Sequence, residues 1–212
     1  MSLPIIVLGA GGHARVLIDA LRSRSASIMG IAEADHGKHG QKLFDIPIIG
    51  DDREVLRIAP ESLRLVNGIG TVRVSPLRRQ LYDSFKSKGY CFATVVHASA
   101  IVAPAVFLAE GAQIMAGVVL QTGCRIGENA IINTRAAVDH DCVIGNHVHV
   151  SPGATLCGNV AVGDGSHVGA GSTVIQGIRI GRNSMVGAGA VVIRDIPDGV
   201  TVAGVPAKEM HL

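Results

Sequence analysis

The chain has no tryptophan, and phenylalanine and tyrosine together make up only 3% of its 212 residues. A core of ordinary thickness uses large rings as filler, so most of this chain must pack in some narrower way. Charge of one sign is also missing. Nineteen Lys and Arg against 17 Asp and Glu leave a formal +2, too little to argue for nucleic acid or a membrane surface as partner. Hydrophobic residues reach 48%, yet no apolar run is 18 residues long, so no membrane-crossing helix is expected. Met-Ser-Leu-Pro leads straight into an apolar segment with no basic n-region or long h-region, so no signal peptide is expected either. The four cysteines, Cys91, Cys124, Cys142 and Cys157, form no C-x-x-C pair. They read as buried free thiols of a cytoplasmic protein.

What is present is a period. From Val96 to Val192 every sixth residue is a branched aliphatic, seventeen in unbroken phase. Four places further on the side chain is usually small, as at Ala112, Cys124, Ala130, Ala136, Cys142, Ala154, Ser172 and Ala190, and glycine often follows the aliphatic residue. A fixed short repeat of this kind marks a parallel β-helix. Side chains alternate faces along a strand, so the aliphatic and small residues point inward together. Three hexads make one 18-residue triangular coil, and five to six coils at ~4.8 Å give a prism roughly 27 Å tall.

Ahead of the prism the reading is α/β. Residues 4–8 form a buried strand, Gly9-Ala10-Gly11-Gly12-His13-Ala14 a glycine turn, and residues 15–21 have helical apolar spacing. Strand, glycine turn and helix open a Rossmann-like unit, in which helix N-terminal amides approach a phosphate. A second strand is expected at 27–32, another at 63–66 with its own turn through Gly70, and a basic amphipathic helix at 76–88. Fewer than 95 residues precede the prism, so a mononucleotide-sized ligand fits better than NAD. The expected domains are 1–92, Rossmann-like, and 93–212, an all-β parallel β-helix whose tail leaves the hexad phase after Pro197 and crosses the last coil.

Reactive side chains are few apart from nine histidines. Residues 18 apart stack, so His140 lies beneath Gly158, and His149 beneath His167. His140 is flanked by Asp139 and Asp141. A histidine beside a carboxylate suits a general base, and a glycine above it offers an unobstructed N–H to a developing oxyanion. The spacing of His147, His149 and His167 fits no familiar metal motif, and no Ser or Cys triad is visible, which favours direct transfer over a covalent intermediate.

The glycine turn through His13, Ile132-Asn133-Thr134, Val138-Asp-His140-Asp-Cys142 and Gly204-Val-Pro-Ala-Lys208 together resemble the hexapeptide-repeat sugar acyltransferases. That family covers sialic acid O-acetyltransferases and the N-acetyltransferases of nucleotide-linked amino sugars. The resemblance spans nearly the whole chain. It implies a left-handed β-helix, a homotrimer with active sites at subunit interfaces, acetyl-CoA as co-substrate and no metal. It further implies His140 as base and Asp141 as its orienting partner. His13, Gly11, Gly12, Glu33, Gly70 and Asn133 would bind the nucleotide-sugar substrate, and His149, Gly158, Ser151, Ala188 and Lys208 the cofactor. Relatives often carry consecutive acidic residues after the second strand. Here Glu33-Ala34-Asp35-His36 stands instead, with Glu33 the nearest match.

The implied reaction is acetylation of the amino group of a UDP- or GDP-4-amino-deoxysugar for bacterial surface glycans. O-acetylation of sialic acid or another sugar hydroxyl is the rival, and a non-catalytic hexapeptide scaffold the alternative of another class.

Overall fold

The computed structural model describes residues 3–71, 74 and 76–210. They fall into two compact units, one of residues 3–71 and 76–98, the other of residues 99–210 with Val74.

In the first unit, β1 (Ile5–Leu8) is buried along its whole length, as a strand covered on both faces must be. Helix α1 (Gly12–Arg22) follows and buries Ala14, Leu17, Ile18, Ala20 and Leu21 along one face. Then come β2 (Ile28–Ala32), a short hairpin of β3 (Lys42–Leu43) and β4 (Ile46–Gly50), the single turn α2 (Asp52–Val55), β5 (Arg64–Asn67) and α3 (Leu77–Lys86). The sheet order is β3-β4-β2-β1-β5, parallel except for the edge strand β3. The chain moves outward from β1 through β2 to β4 and then returns to the other side of β1. The switch point therefore lies between β1 and β5, where ligands of open α/β sheets bind. Tyr82, Phe85, Tyr90 and Phe92 pack into one core cluster, with Tyr82 and Phe92 ring centroids 4.4 Å apart. Most of the chain's few aromatics are thus spent here, where the core is thick enough to need them.

The sequence reading missed the hairpin. Its turn, Phe44-Asp45, has φ of +51° and +67°, the primed geometry that glycine and asparagine usually supply. Arg22 donates to the Phe44 carbonyl, and the guanidinium carbons of Arg15 and Arg22 lie 5.5 and 5.9 Å from the Phe44 ring centroid. Tertiary contacts therefore hold a turn that local propensity disfavours.

The second unit is the prism. From Ile101–Val102 to Val191–Val192 two-residue strands recur every six residues. The second residue of each is the aliphatic of the hexad, and partners along a face are 18 apart, as in Val119↔Ala137↔Thr155. Ile114, Ile126, Ile132, Val150, Leu156, Val168, Val174 and Val186 are wholly buried, as are the small residues Ala112, Cys124, Ala130, Ala136, Cys142 and Ala154. Every sixth residue from Gly111 to Gly189 has positive φ, which makes the corner. The glycine after the aliphatic has another cause. A Cβ on Gly127 would lie 2.6 Å from the Gly145 carbonyl carbon, because the next coil passes directly over it.

The tail leaves the hexad phase. Thr201–Ala203 adds a parallel rung to the face of Met185–Val186, 16 residues on, and Lys208–Glu209 folds back antiparallel upon it. It extends a face and caps it, with Ala207 N donating to the Val191 carbonyl.

Candidate active site

His140 sits on the corner after the Ala137–Val138 strand, and its side chain is 46% exposed. Its backbone N–H is capped by Asp139 Oδ1 at 2.8 Å. Asp141 occupies a left-handed corner position, φ +59°, and its carboxylate Oδ2 lies 2.9 Å from His140 Nδ1. Oδ1 lies over Gly123, 2.3 Å from where a Cβ would stand, so a glycine one coil below makes room for the carboxylate. A carboxylate accepts only from a protonated Nδ1, which leaves the lone pair of the neutral ring on Nε2. That atom points across Gly158, 2.4 Å from the Cβ an alanine would place there. The Gly158 N–H makes no hydrogen bond within the described residues. The hydrogen bond to Asp141 chiefly, with the charges of Asp139 and Asp141, raises the pKa of His140 above its usual 6.5 despite a small opposing desolvation.

Two thiols lie under the same corner. Cys124 Sγ donates to the Asp139 carbonyl at 2.9 Å and Cys142 Sγ to the Cys157 carbonyl at 3.2 Å. Burial pushes the Cys142 thiol up to about 11 and raises that of Cys124. All four cysteines are free, with Cys124 and Cys142 buried.

A second group occupies another face. Asn133 Oδ1 accepts from Thr134 N at 2.8 Å, so its Nδ2 is the atom that donates to His149 Nε2 at 3.0 Å. His149 Nε2 is the acceptor in that pair. One coil on, Ser151 Oγ and His167 Nε2 are 2.9 Å apart, and the rings of His149 and His167 meet edge to face at 4.8 Å. Burial lowers the pKa of His167, and its Nδ1 is buried with no hydrogen-bond partner among the described residues. The sequence showed the 149–167 stack but not the Ser151–His167 contact, which repeats Asn133–His149 shifted by 18. Ser151, expected at the cofactor, is 4% exposed with its hydroxyl turned to His167. Ala188 is exposed at a corner and Lys208 lies on the exposed tail strand. His147, two residues before His149, has its Nδ1 3.1 Å from Asn129 Nδ2. Among the described residues no group of three or more His, Cys, Asp or Glu is placed to hold a metal, and no helix is long and apolar enough to cross a membrane.

In the first unit the two glycine turns interlock at the switch point. Gly11 caps α1 without a side-chain hydrogen bond, and a Cβ on Gly11 or Gly12 would meet nothing within 4 Å. Their surface is open, and the first-turn amides of a helix favour an anion. His13 packs on Gly70, whose added Cβ would lie 2.9 Å from His13 Cβ. Glu33 Oε2 accepts from Ala10 N at 2.8 Å and Oε1 from Asp35 N at 3.1 Å. Burial works to raise its pKa, but those two amides and Lys38 outweigh it and hold the carboxyl below its usual range. Beside it, at the ends of β2 and β4, a cavity of about 250 Å³ is lined by residues that include His36, His39, Asp51 and Glu54.

Comparison with known proteins agrees with this layout. The PglD N-terminal domain family matches residues 4–85, and the bacterial transferase hexapeptide family, six repeats, matches 123–158 and 141–176. Perosamine N-acetyltransferase from Caulobacter crescentus is 39% identical, with 98% of this chain and 97% of that chain covered and a TM-score of 0.91. Its structures with one histidine replaced by asparagine or alanine hold CoA and GDP-perosamine. The acetyltransferase domain of PglB from Neisseria gonorrhoeae, in complex with acetyl coenzyme A, is 34% identical over 99% of this chain and 100% of that one, TM-score 0.91. WeeI from Acinetobacter baumannii is 27% identical over 99% and 100%, TM-score 0.88. No curated protein sequence matches the chain. At 39% identity over nearly the whole of both chains, the protein belongs to the hexapeptide-repeat sugar acyltransferase family of the nucleotide-amino-sugar N-acetyltransferases, and it is an acetyl-CoA-dependent sugar acetyltransferase.

Proposed function

We propose that the protein transfers the acetyl group of acetyl-CoA directly to the amino group of a UDP- or GDP-linked 4-amino-deoxysugar, with His140 as general base. The observation that carries this is the imidazole fixed by Asp141, its free nitrogen aimed over Gly158. Nε2 takes the proton from the amine as its nitrogen attacks the thioester carbonyl. The tetrahedral oxyanion accepts a hydrogen bond from the Gly158 N–H. As the carbon–sulfur bond breaks, the imidazolium returns the proton to the leaving thiolate, giving free CoA and an amide. The nucleotide phosphates would lie on the amides of the Gly9–Gly12 turn. The nucleoside would reach the cavity beside Glu33, since neighbouring strand ends are ~4.8 Å apart.

A homotrimer is part of the same reading. Within one chain the His140–Asp141 corner and the Asn133–His149 group lie on different faces, and a neighbouring subunit would bring the two into one site. The protein would work in the cytoplasm, where nucleotide sugars are made, on its way to a surface glycan.

The test is a substrate panel: thiol release from acetyl-CoA with UDP- and GDP-linked 4-amino sugars, beside free and CMP-linked sialic acid. Turnover with an amino sugar is expected. Turnover with sialic acid alone would move the protein to O-acetylation, and silence across the panel would refute the assignment.

A further inference from the structure

Helix α3 carries a side chain for which neither the packing nor the chemistry above accounts. Arg78, its second residue, is only 3% exposed, although the next residue, Arg79, points to solvent and pairs with Asp83. Desolvation pushes the guanidinium's pKa down, to about 9. A residue needed only for bulk there would be leucine or methionine, because a buried charge is expensive unless its donors are used. One of its nitrogens is aimed at a single turn. Nη1 donates to the carbonyls of Asn67 at 2.8 Å and Ile69 at 2.6 Å, and Asn67 Nδ2 donates back to the Arg78 carbonyl at 2.9 Å. Asn67 Oδ1 accepts from Ile69 N at 3.2 Å. The stretch from Asn67 to Ile69, which leads into Gly70, is thereby pinned at both ends.

That turn is one wall of the switch point. Gly68 N donates to the Leu8 carbonyl at 2.8 Å. Cβ atoms built on Gly68 and Gly70 would collide with β1 and α1 at 2.7 Å from the Leu8 carbonyl oxygen and 2.9 Å from His13 Cβ. A turn seated so closely transmits its own position to Gly9 and His13.

We propose that Arg78 is a positioning residue of the nucleotide-sugar site: from inside the domain it holds the Asn67–Gly70 turn, and through that turn His13 and the phosphate-binding glycines. The inference rests on the reading that the nucleotide sugar binds at these glycine turns. It assigns to Arg78 the affinity for one of the two substrates. The prism holds the other substrate and the base.

The experiment measures kcat and both KM values by thiol release for wild type, Arg78→Met, Arg78→Lys and Gly70→Ala. Arg78→Met should raise the KM for the nucleotide amino sugar roughly tenfold or more, with kcat and the KM for acetyl-CoA within about twofold. Arg78→Lys should recover part of it, since an ammonium keeps the charge but not the planar fork. Gly70→Ala, which crowds His13 without touching Arg78, should raise the same KM. If Arg78→Met does not fold, Arg78→Lys carries the same split. An unchanged nucleotide-sugar KM, or equal rises in both KM values, overturns the role of Arg78 while leaving the substrate reading intact. A wild type that acetylates only free sugars and binds no nucleotide sugar refutes that reading, and the role of Arg78 with it.

Discussion

Replacing Gly158 by alanine adds one methyl group, and the structure says where it goes. The new Cβ would stand 2.4 Å from His140 Nε2, 2.6 Å from Cε1 and 3.0 Å from Cδ2, all inside van der Waals contact. The imidazole must move, because the competing atoms are its own ring. Turning it ~30° off its rotamer costs about 0.5–1.5 kcal/mol, a modest sum for a side chain that is 46% exposed. If His140 is the base proposed above, the catalytic cost is larger, since the same rotation breaks the 2.9 Å bond to Asp141 and swings Nε2 away from the attacking amine. A misplaced general base forfeits on the order of 10²–10⁴ in rate. Stability should move the other way or not at all. Gly158 has no positive φ, so alanine suits its backbone, and a compatible Gly→Ala change stabilises by about 0.4–1 kcal/mol through the unfolded chain. Steady-state thiol release and a melting curve on the same preparation are the assay. Expected is a kcat loss of ~10²-fold or more with an unchanged or raised Tm. A variant with full kcat would refute the placement of His140 over Gly158 as the working geometry.

Three further outcomes follow. His140 must be neutral to accept a proton and its pKa is raised, chiefly by Asp141, so kcat/KM should fall on the acid side with a midpoint above 6.5. Asp141→Asn should move that limb to lower pH and lower the plateau, and an unmoved limb in a pH–rate profile would contradict the pairing. Arg135 occupies a left-handed corner, φ +58°, so Arg135→Gly should relieve strain and raise stability by about 0.5–1 kcal/mol in denaturant unfolding. Leu156 is wholly buried in the column, so Leu156→Ala should cost about 2–5 kcal/mol by the same measurement.

The prism was legible because each coil obeys one rule. An aliphatic faces in every six residues, and no distant contact is needed to see it. The left-handed corners were harder to read, since Arg135, Asp141 and His147 interrupt a column otherwise made of glycine and asparagine. The hairpin of β3 and β4 escaped notice because its turn is held by Arg15 and Arg22 rather than by its own residues. The tail's exit from the hexad phase was legible, but not its form, a coil of 16 residues instead of 18. In the candidate site, the pairing of His140 with Gly158 was visible by stacking arithmetic and the two flanking carboxylates by adjacency, while the choice of Asp141 came from family resemblance. Asn133 and His149, 16 apart, came from family resemblance, and the matching Ser151–His167 contact emerged only from the structure. Arg78 was illegible for a plain reason. In a helix with Arg79 and Lys86 beside it, an arginine reads as one more solvated cation, and only the fold shows that it points inward.

His140 is proposed as the base for acetyl transfer to a nucleotide-linked amino sugar. The most direct measurement compares thiol release by wild type and His140→Ala, with acetyl-CoA and the UDP- or GDP-linked 4-amino sugar that the wild type uses. Expected are turnover by the wild type and a loss on the order of 10²–10⁴ in the variant, with acetyl-CoA binding by calorimetry retained. Turnover by His140→Ala within a few-fold of wild type would contradict it.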